Sequence, residues 1–344
     1  MKKMMKVMRK YVRMASCLAL SLVLGGCYED YVKDYDQSSV FVAYQWDLRT
    51  FVVGEDQAFK FTVGLAGVMD NRQDRSVTLT VEDALVTEDI SGIIPLNAAG
   101  VKAIDGLSGI SSLGTLSGDY VATALADAGI TQLSPLPKDA YSLDGLSGLT
   151  ILAGAHTASV TIRASDTFIA NPDAYVPGYA IGFLIKSAQA DLVPAAKSFA
   201  VIAVRCENKF YGYYSRAAHV VRKDAAGNVV SETDVEASLA DDFVYNLTTV
   251  NATTVRSDKV AGSAGEMLLT FSGDEITVSS TDGHVSGTGR FNGAKLLQER
   301  ILELQYTVSL ADGGRTEVTE TLRFRNRIRD GVNEWQDEHS ENYK

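Results

Sequence analysis

Two stretches in the last 140 residues carry side chains that could grip a ligand. In "LRFRNRIRDGVNEW" (322–335), strict alternation puts Leu322, Phe324 and Ile328 on one face of a strand, and Arg323, Arg325, Arg327 and Arg329 on the other. Guanidinium groups in a row repel one another unless they are paired. Two readings stand open. The forks of donors recognise acidic sugars or sugar hydroxyls, or they are neutralised internally by Glu303, Glu317, Glu320, Glu334 or Asp337. In "KFYGYYSR" (209–216), Phe210, Gly212 and Tyr214 share one face, with Tyr211 and Tyr213 on the other. One aromatic face must enter a core. The second either stacks on the apolar C–H faces of sugar rings or is buried too. Trp335 is a further platform, or else a plug closing the end of its domain. Trp46 shares a face with Val42 and Tyr44 and reads as core. The candidate ligand-binding set is therefore Tyr211, Tyr213, Trp335, Arg325 and Arg327.

No catalytic residue emerges. His156, His219, His284 and His339 are dispersed without metal-ligand spacing, so neither a metal nor a cofactor is expected. No G-x-S-x-G elbow is present. A glycosidase needs two facing carboxylates, and 43 acids supply no recognisable pair. The pentapeptide "DGLSG" occurs at 105–109 and 144–148 without the Lys-Ser/Thr ending of a phosphate loop, and reads as turns.

The elements that must position these residues begin with an address. Lys2, Lys3, Lys6, Arg9, Lys10 and Arg13 precede an apolar run, residues 14–24, too short to remain as a membrane span. This is the pattern of an export signal. Its ending, Leu24-Gly25-Gly26-Cys27, resembles the bacterial lipobox, in which the cysteine becomes the acylated first residue. Acylation through more than one chain gives stable anchoring. Glu29 and Asp30 follow and resemble the export signal of Bacteroidetes surface lipoproteins. The expectation is an outer-membrane protein, lipid-anchored through Cys27 and facing the cell exterior. Removing residues 1–26 takes six basic side chains and no acid, leaving 26 Lys+Arg against 43 Asp+Glu, a formal −17. Nucleic acid is excluded as a partner, because phosphate contacts need clustered cations. Cys206 is then the one remaining thiol, so the fold must rest on its core.

Residues 27–38 read as an acidic tether. Strands are expected at "SVFVAYQW", with Val40, Val42, Tyr44 and Trp46 on one face, and at "AFKFTVGL", "RSVTLTVE", "ASVTIRA", "YAIGFLIKSA" and "KSFAVIAVR". A Gly/Ser/Leu-rich insert, 86–130, holds one expected helix, "DYVATALADAG", ended by Gly129. All six prolines lie between 95 and 194. Beyond Cys206, strands are joined by turns at Gly227-Asn228, Asp282-Gly283 and Asp312-Gly313. A closed or nearly closed antiparallel barrel follows, since closure removes exposed edges.

The segments "LPKDAYSL", "LTILAGAHTASVTIRA", "YVPGYAIGFLIKSA", "FYGYYSR" and "RFRNRIRDGVNEWQDE" carry a family resemblance. The chain resembles the two-domain surface lipoproteins of Bacteroidetes polysaccharide-utilisation loci. Their N-terminal immunoglobulin-like domain elsewhere precedes endo-β-N-acetylglucosaminidase domains, and their C-terminal domain is a lipocalin-like β module. The resemblance implies an all-β chain: an immunoglobulin-like sandwich over 39–205 with insert 86–130, a lipocalin-like barrel over 207–338, and a tail at 339–344. It also implies a non-enzymatic glycan-binding accessory role beside outer-membrane transport or hydrolase proteins. The alternatives are a structural or adhesive component of a surface assembly and, less favoured, a glycoside hydrolase.

Overall fold

The structure, a computed structural model, describes residues 36–55, 57–86, 118–237 and 244–337. Cys27, Glu29, Asp30, most of the insert, the first "DGLSG" and the tail lie outside the described residues. Among the described residues the chain is all-β with two short α-helices, α1 (Gly118–Asp127) and α2 (Asp166–Ala170). The first ten strands are β1 (Ser39–Val42), β2 (Trp46–Val53), β3 (Ala58–Ala66), β4 (Arg75–Val81), β5 (Ser134–Pro135), β6 (Tyr141–Asp144), β7 (Thr150–Ile151), β8 (Thr157–Ala164), β9 (Tyr179–Ala188) and β10 (Phe199–Asn208). They form two sheets, ordered β1-β3-β8-β6 and β2-β10-β9-β4-β7, with β5 beside β9.

The two sheets pack face to face over Phe51, Phe61, Val160, Ile162, Phe183 and Ile202. The second sheet is covered on its other face as well. Val121 and Leu125, one turn apart on α1, lie among Trp46, Leu48, Val201 and Ala203. Double burial explains why β9 and β10 read as continuous apolar runs, while β3 and β8 alternate.

One expectation is corrected here. "SVFVAYQW" is not one strand but two, on different sheets. The chain crosses at residues 43–45, where buried Gln45 donates to the Val42 carbonyl (2.7 Å) and accepts from Lys197 (2.9 Å). Trp46 is core, as the sequence suggests, yet Tyr44 stands in the crossing and is 50 % exposed.

The remaining strands are β11 (Gly212–Lys223), β12 (Val229–Val235), β13 (Val244–Thr249), β14 (Thr254–Val260), β15 (Ser263–Ser272), β16 (Glu275–Ser279), β17 (Val285–Phe291), β18 (Ile301–Ser309), β19 (Arg315–Arg329) and β20 (Val332–Glu334). Strands β11 and β13 to β19 follow one another antiparallel, and β19 pairs back onto β11 from Lys223↔Arg315 to Tyr213↔Asn326. This closes an eight-strand barrel. Strand β12 continues from the far half of β11, and β20 is a short return from β19.

Side chains fill the barrel, among them Phe210, Tyr214, Tyr245, Met267, Leu302 and Leu322. A polar knot lies among them. Buried Glu320 accepts from Arg216, from the Tyr245 hydroxyl (2.8 Å) and from the Tyr306 hydroxyl (2.9 Å). Those two phenols accept in turn from the backbone N–H groups of Gly262 and Ala261, in the turn between β14 and β15. Both turn residues have positive φ, as a two-residue hairpin of the favoured twist requires. The turn thus folds against the barrel interior and satisfies polar atoms that burial would otherwise penalise.

Candidate functional site

The site residues are set by one irregularity. Tyr214 lies opposite Phe324, but the preceding Tyr213 lies opposite Asn326, which leaves Arg325 as an extra residue in β19. Such a bulge reverses the in–out alternation beyond it. Before it, Val318, Glu320, Leu322 and Phe324 point inward; after it, Arg327 is buried and Ile328 is 49 % exposed. The expected faces are therefore corrected: Ile328 does not share the core face of Leu322 and Phe324, and the four arginines do not form one row.

Arg327, 2 % exposed, is held from two directions. Its Nε donates to Glu334 (2.6 Å), and Nη1 and Nη2 donate to the two carboxylate oxygens of Glu55 (3.1 and 2.8 Å). Its guanidinium lies 5.2 Å from the centre of the Tyr211 ring. Arg300 also reaches Glu55, at 2.7 Å. Burial pushes the Glu55 carboxyl up, but the two guanidinium groups outweigh it and hold it below its ordinary value. Glu334 was among the internal partners expected from sequence. Glu55 was not, because it arrives from a distant segment with no local signal.

Tyr211, at 7 % exposure, is buried against Arg327. Tyr211 and Arg327 are thus removed from any surface ligand. Tyr213 points outward between two amide residues, opposite Asn246 on one side and Asn326 on the other. Residues directly opposite in a ladder share a face. Asn326 donates through Nδ2 to Asn333 (2.7 Å), which pairs with Ile328. Trp335 follows Glu334, whose carboxylate is fixed by Arg327 and by Arg329 (2.6 Å). Trp335 is 57 % exposed, which corrects the plug reading. Arg325, in the bulge, is half-buried beside this face.

The result is an outward face with Tyr213, Ile328 and three amides, and exposed Trp335 follows two residues beyond Asn333. Rings suit apolar C–H faces, and an amide both donates and accepts, as a hydroxyl requires. Sequence reasoning singles out Tyr213 and Trp335 but not Asn246, Asn326 and Asn333, which only strand register brings beside Tyr213.

No protein-family model and no curated protein matches the chain. Among solved structures, it is similar to a protein of unknown function from Bacteroides ovatus, at 20 % identity and TM-score 0.59, over 89 % of this chain and 98 % of that one. The two share the fold. A likeness to an auxiliary nutrient binding protein from Bacteroides thetaiotaomicron covers 84 % of this chain and 93 % of that one, at 13 % identity and TM-score 0.39. That degree of overlap is too slight to bear on this chain.

Proposed function

We propose that this chain is a non-enzymatic glycan-binding protein, lipid-anchored through Cys27 and displayed on the outer membrane facing the cell exterior. The observation that carries the reading is the outward face of Tyr213, Asn246, Asn326, Asn333 and Trp335. Its side chains are uncharged, and Trp335 is exposed while its neighbour Glu334 is pinned by Arg327 and Arg329. Stacking aromatics are rigid, so little conformational entropy is lost when a ring binds. The test is a glycan array with the protein from residue 28 onward, spanning plant, host and microbial glycans. Trp335→Ala is expected to weaken the best binder tenfold or more, and wild-type silence across the array defeats the reading. Mass spectrometry of the mature protein tests the anchor: Cys27 should carry acyl chains.

A structural or adhesive role is favoured by a different observation. Among the described residues, β12 pairs with β11 alone, and Val229 and Val230 on it are exposed. Such an edge can accept a strand from another chain. Array silence together with self-association abolished by Val230→Lys would support that role.

A further inference from the structure

The outer wall of the barrel carries a polar surface on β17, β18, β19 and β11. Two depressions, of about 530 and about 400 Å³, share Thr288, Gln305 and Thr319 and form one groove. Its centre is a single cross-strand row, Thr288↔Gln305↔Thr319↔His219, that steps across four neighbouring strands. At ~4.8 Å per strand the row is roughly 14 Å long, longer than one sugar ring. Gly287 and Gly289 tighten the pair beneath it. A Cβ at Gly287 would sit 2.5 Å from Tyr306 Cα, and one at Gly289 would sit 2.5 Å from the Glu303 carbonyl oxygen.

What the groove offers is restricted. The backbone groups of its strands are spent in the barrel ladder, so an extended peptide finds none to pair with. Its charges are paired or set against an opposite one: Arg290 on β17 stands opposite Glu303 on β18. Glu317 accepts from Lys223 (2.7 Å) and Arg315 (2.9 Å), and His219 lies against Asp234 (2.8 Å). Among the described residues, no hydrogen bond engages the side chains of Thr288, Gln305 or Thr319. A row of hydroxyl and amide groups, flanked by charges of opposite sign set against one another, suits a neutral polyhydroxylated ligand rather than a phosphate or a carboxylate.

We infer that this groove is a second glycan contact, so that one neutral oligosaccharide is held both here and at the Tyr213–Trp335 face. The inference rests on the glycan-binding reading above. His219 lies six residues along β11 from Tyr213, roughly 20 Å at strand rise, so short sugars would engage one contact and longer ones both. Linking two contacts in one ligand raises affinity without any new interaction.

The experiment is calorimetry with neutral cello-, xylo-, manno- and malto-oligosaccharide series of roughly two to eight units, a range chosen to bracket the two-site span. Wild type should gain at least tenfold in affinity from the shortest to the longest binder. The triple variant Thr288→Val, Gln305→Ala, Thr319→Val should lose that gain and keep short-chain binding, whereas Trp335→Ala should lose binding at every length. Gln305→Ala alone provides the same comparison if the triple variant fails to fold. A triple variant that matches wild type at every length, with Trp335→Ala still weakened, overturns the groove and leaves the glycan reading intact. Absence of wild-type binding to every series overturns both.

Discussion

Arg327 and Trp335 sit eight positions apart and illustrate opposite demands on a single residue. Arg327 is buried between Glu55 and Glu334. Removing one partner of a buried ion pair leaves an uncompensated charge, a cost of about 3–5 kcal/mol. Arg327→Ala is therefore expected to lower stability by that order, read from the urea midpoint, with Arg300 moderating the loss through its own contact to Glu55. Trp335→Ala, by contrast, should leave stability within about 0.5 kcal/mol of wild type, because an exposed side chain adds little to it. Cys206 offers an independent check. Burial, with Glu207 beside it, pushes its thiol up to about 12, and only the thiolate reacts. A disulfide reagent at pH 8 should label the native protein negligibly and the urea-unfolded protein fully.

At the scale of elements, the strand pattern was largely legible because half-buried strands alternate and their turns carry Gly, Asn and Asp. The hairpin turns at Asp282-Gly283 and Asp312-Gly313 stand where the sequence places them, with both glycines at positive φ. Alternation fails at the bulge, since nothing in "RFRNRIR" announces that Arg325 is the extra residue of the β19 register. A one-residue slip there turns over the reading of β19 beyond Phe324, moving Ile328 out and Arg327 in. Opposing residues such as Asn246 and Tyr213 are likewise invisible in sequence, because register is a long-range property. The tight β17–β18 pair gives an element-scale prediction. Gly287→Ala would put a methyl 2.2 Å from the Gln305 carbonyl oxygen, a backbone atom with little freedom to move. Overpacking of this kind costs about 1–3 kcal/mol, so the urea midpoint should fall correspondingly.

At the scale of the whole molecule, the sandwich and the barrel meet across titratable groups. Thr50 donates to Asp330 (2.7 Å), Thr249 donates to Glu207, and Glu55 takes Arg300 and Arg327. Burial raises the Asp47, Glu207 and Asp330 carboxyls above their ordinary values. A raised acid binds its proton more tightly in the folded state, so its contribution is complete at low pH and fades as pH climbs through the folded value. Glu55 is lowered, so its contribution is complete above 4.5 and fades as pH falls through the depressed value. The seam should be firmest in mildly acidic solution. Calorimetric melting between pH 4 and 8 is expected to show a maximum there, with declines on both sides. Asp330→Asn should flatten the neutral side, the more so because Asp330 has φ 52°, a conformation asparagine tolerates well. A neutral limb as steep in the variant as in wild type would remove Asp330 from this account.

The filled barrel sets a further condition on whatever is held. A hollow cup admits only cargo small enough to pass its rim and fixes it by an end. Here aromatic rings and the Glu320 knot occupy that volume, so the proposed contacts lie on an outside wall with no rim. A polymer could be seized anywhere along its length and released sideways, with no need for a free terminus.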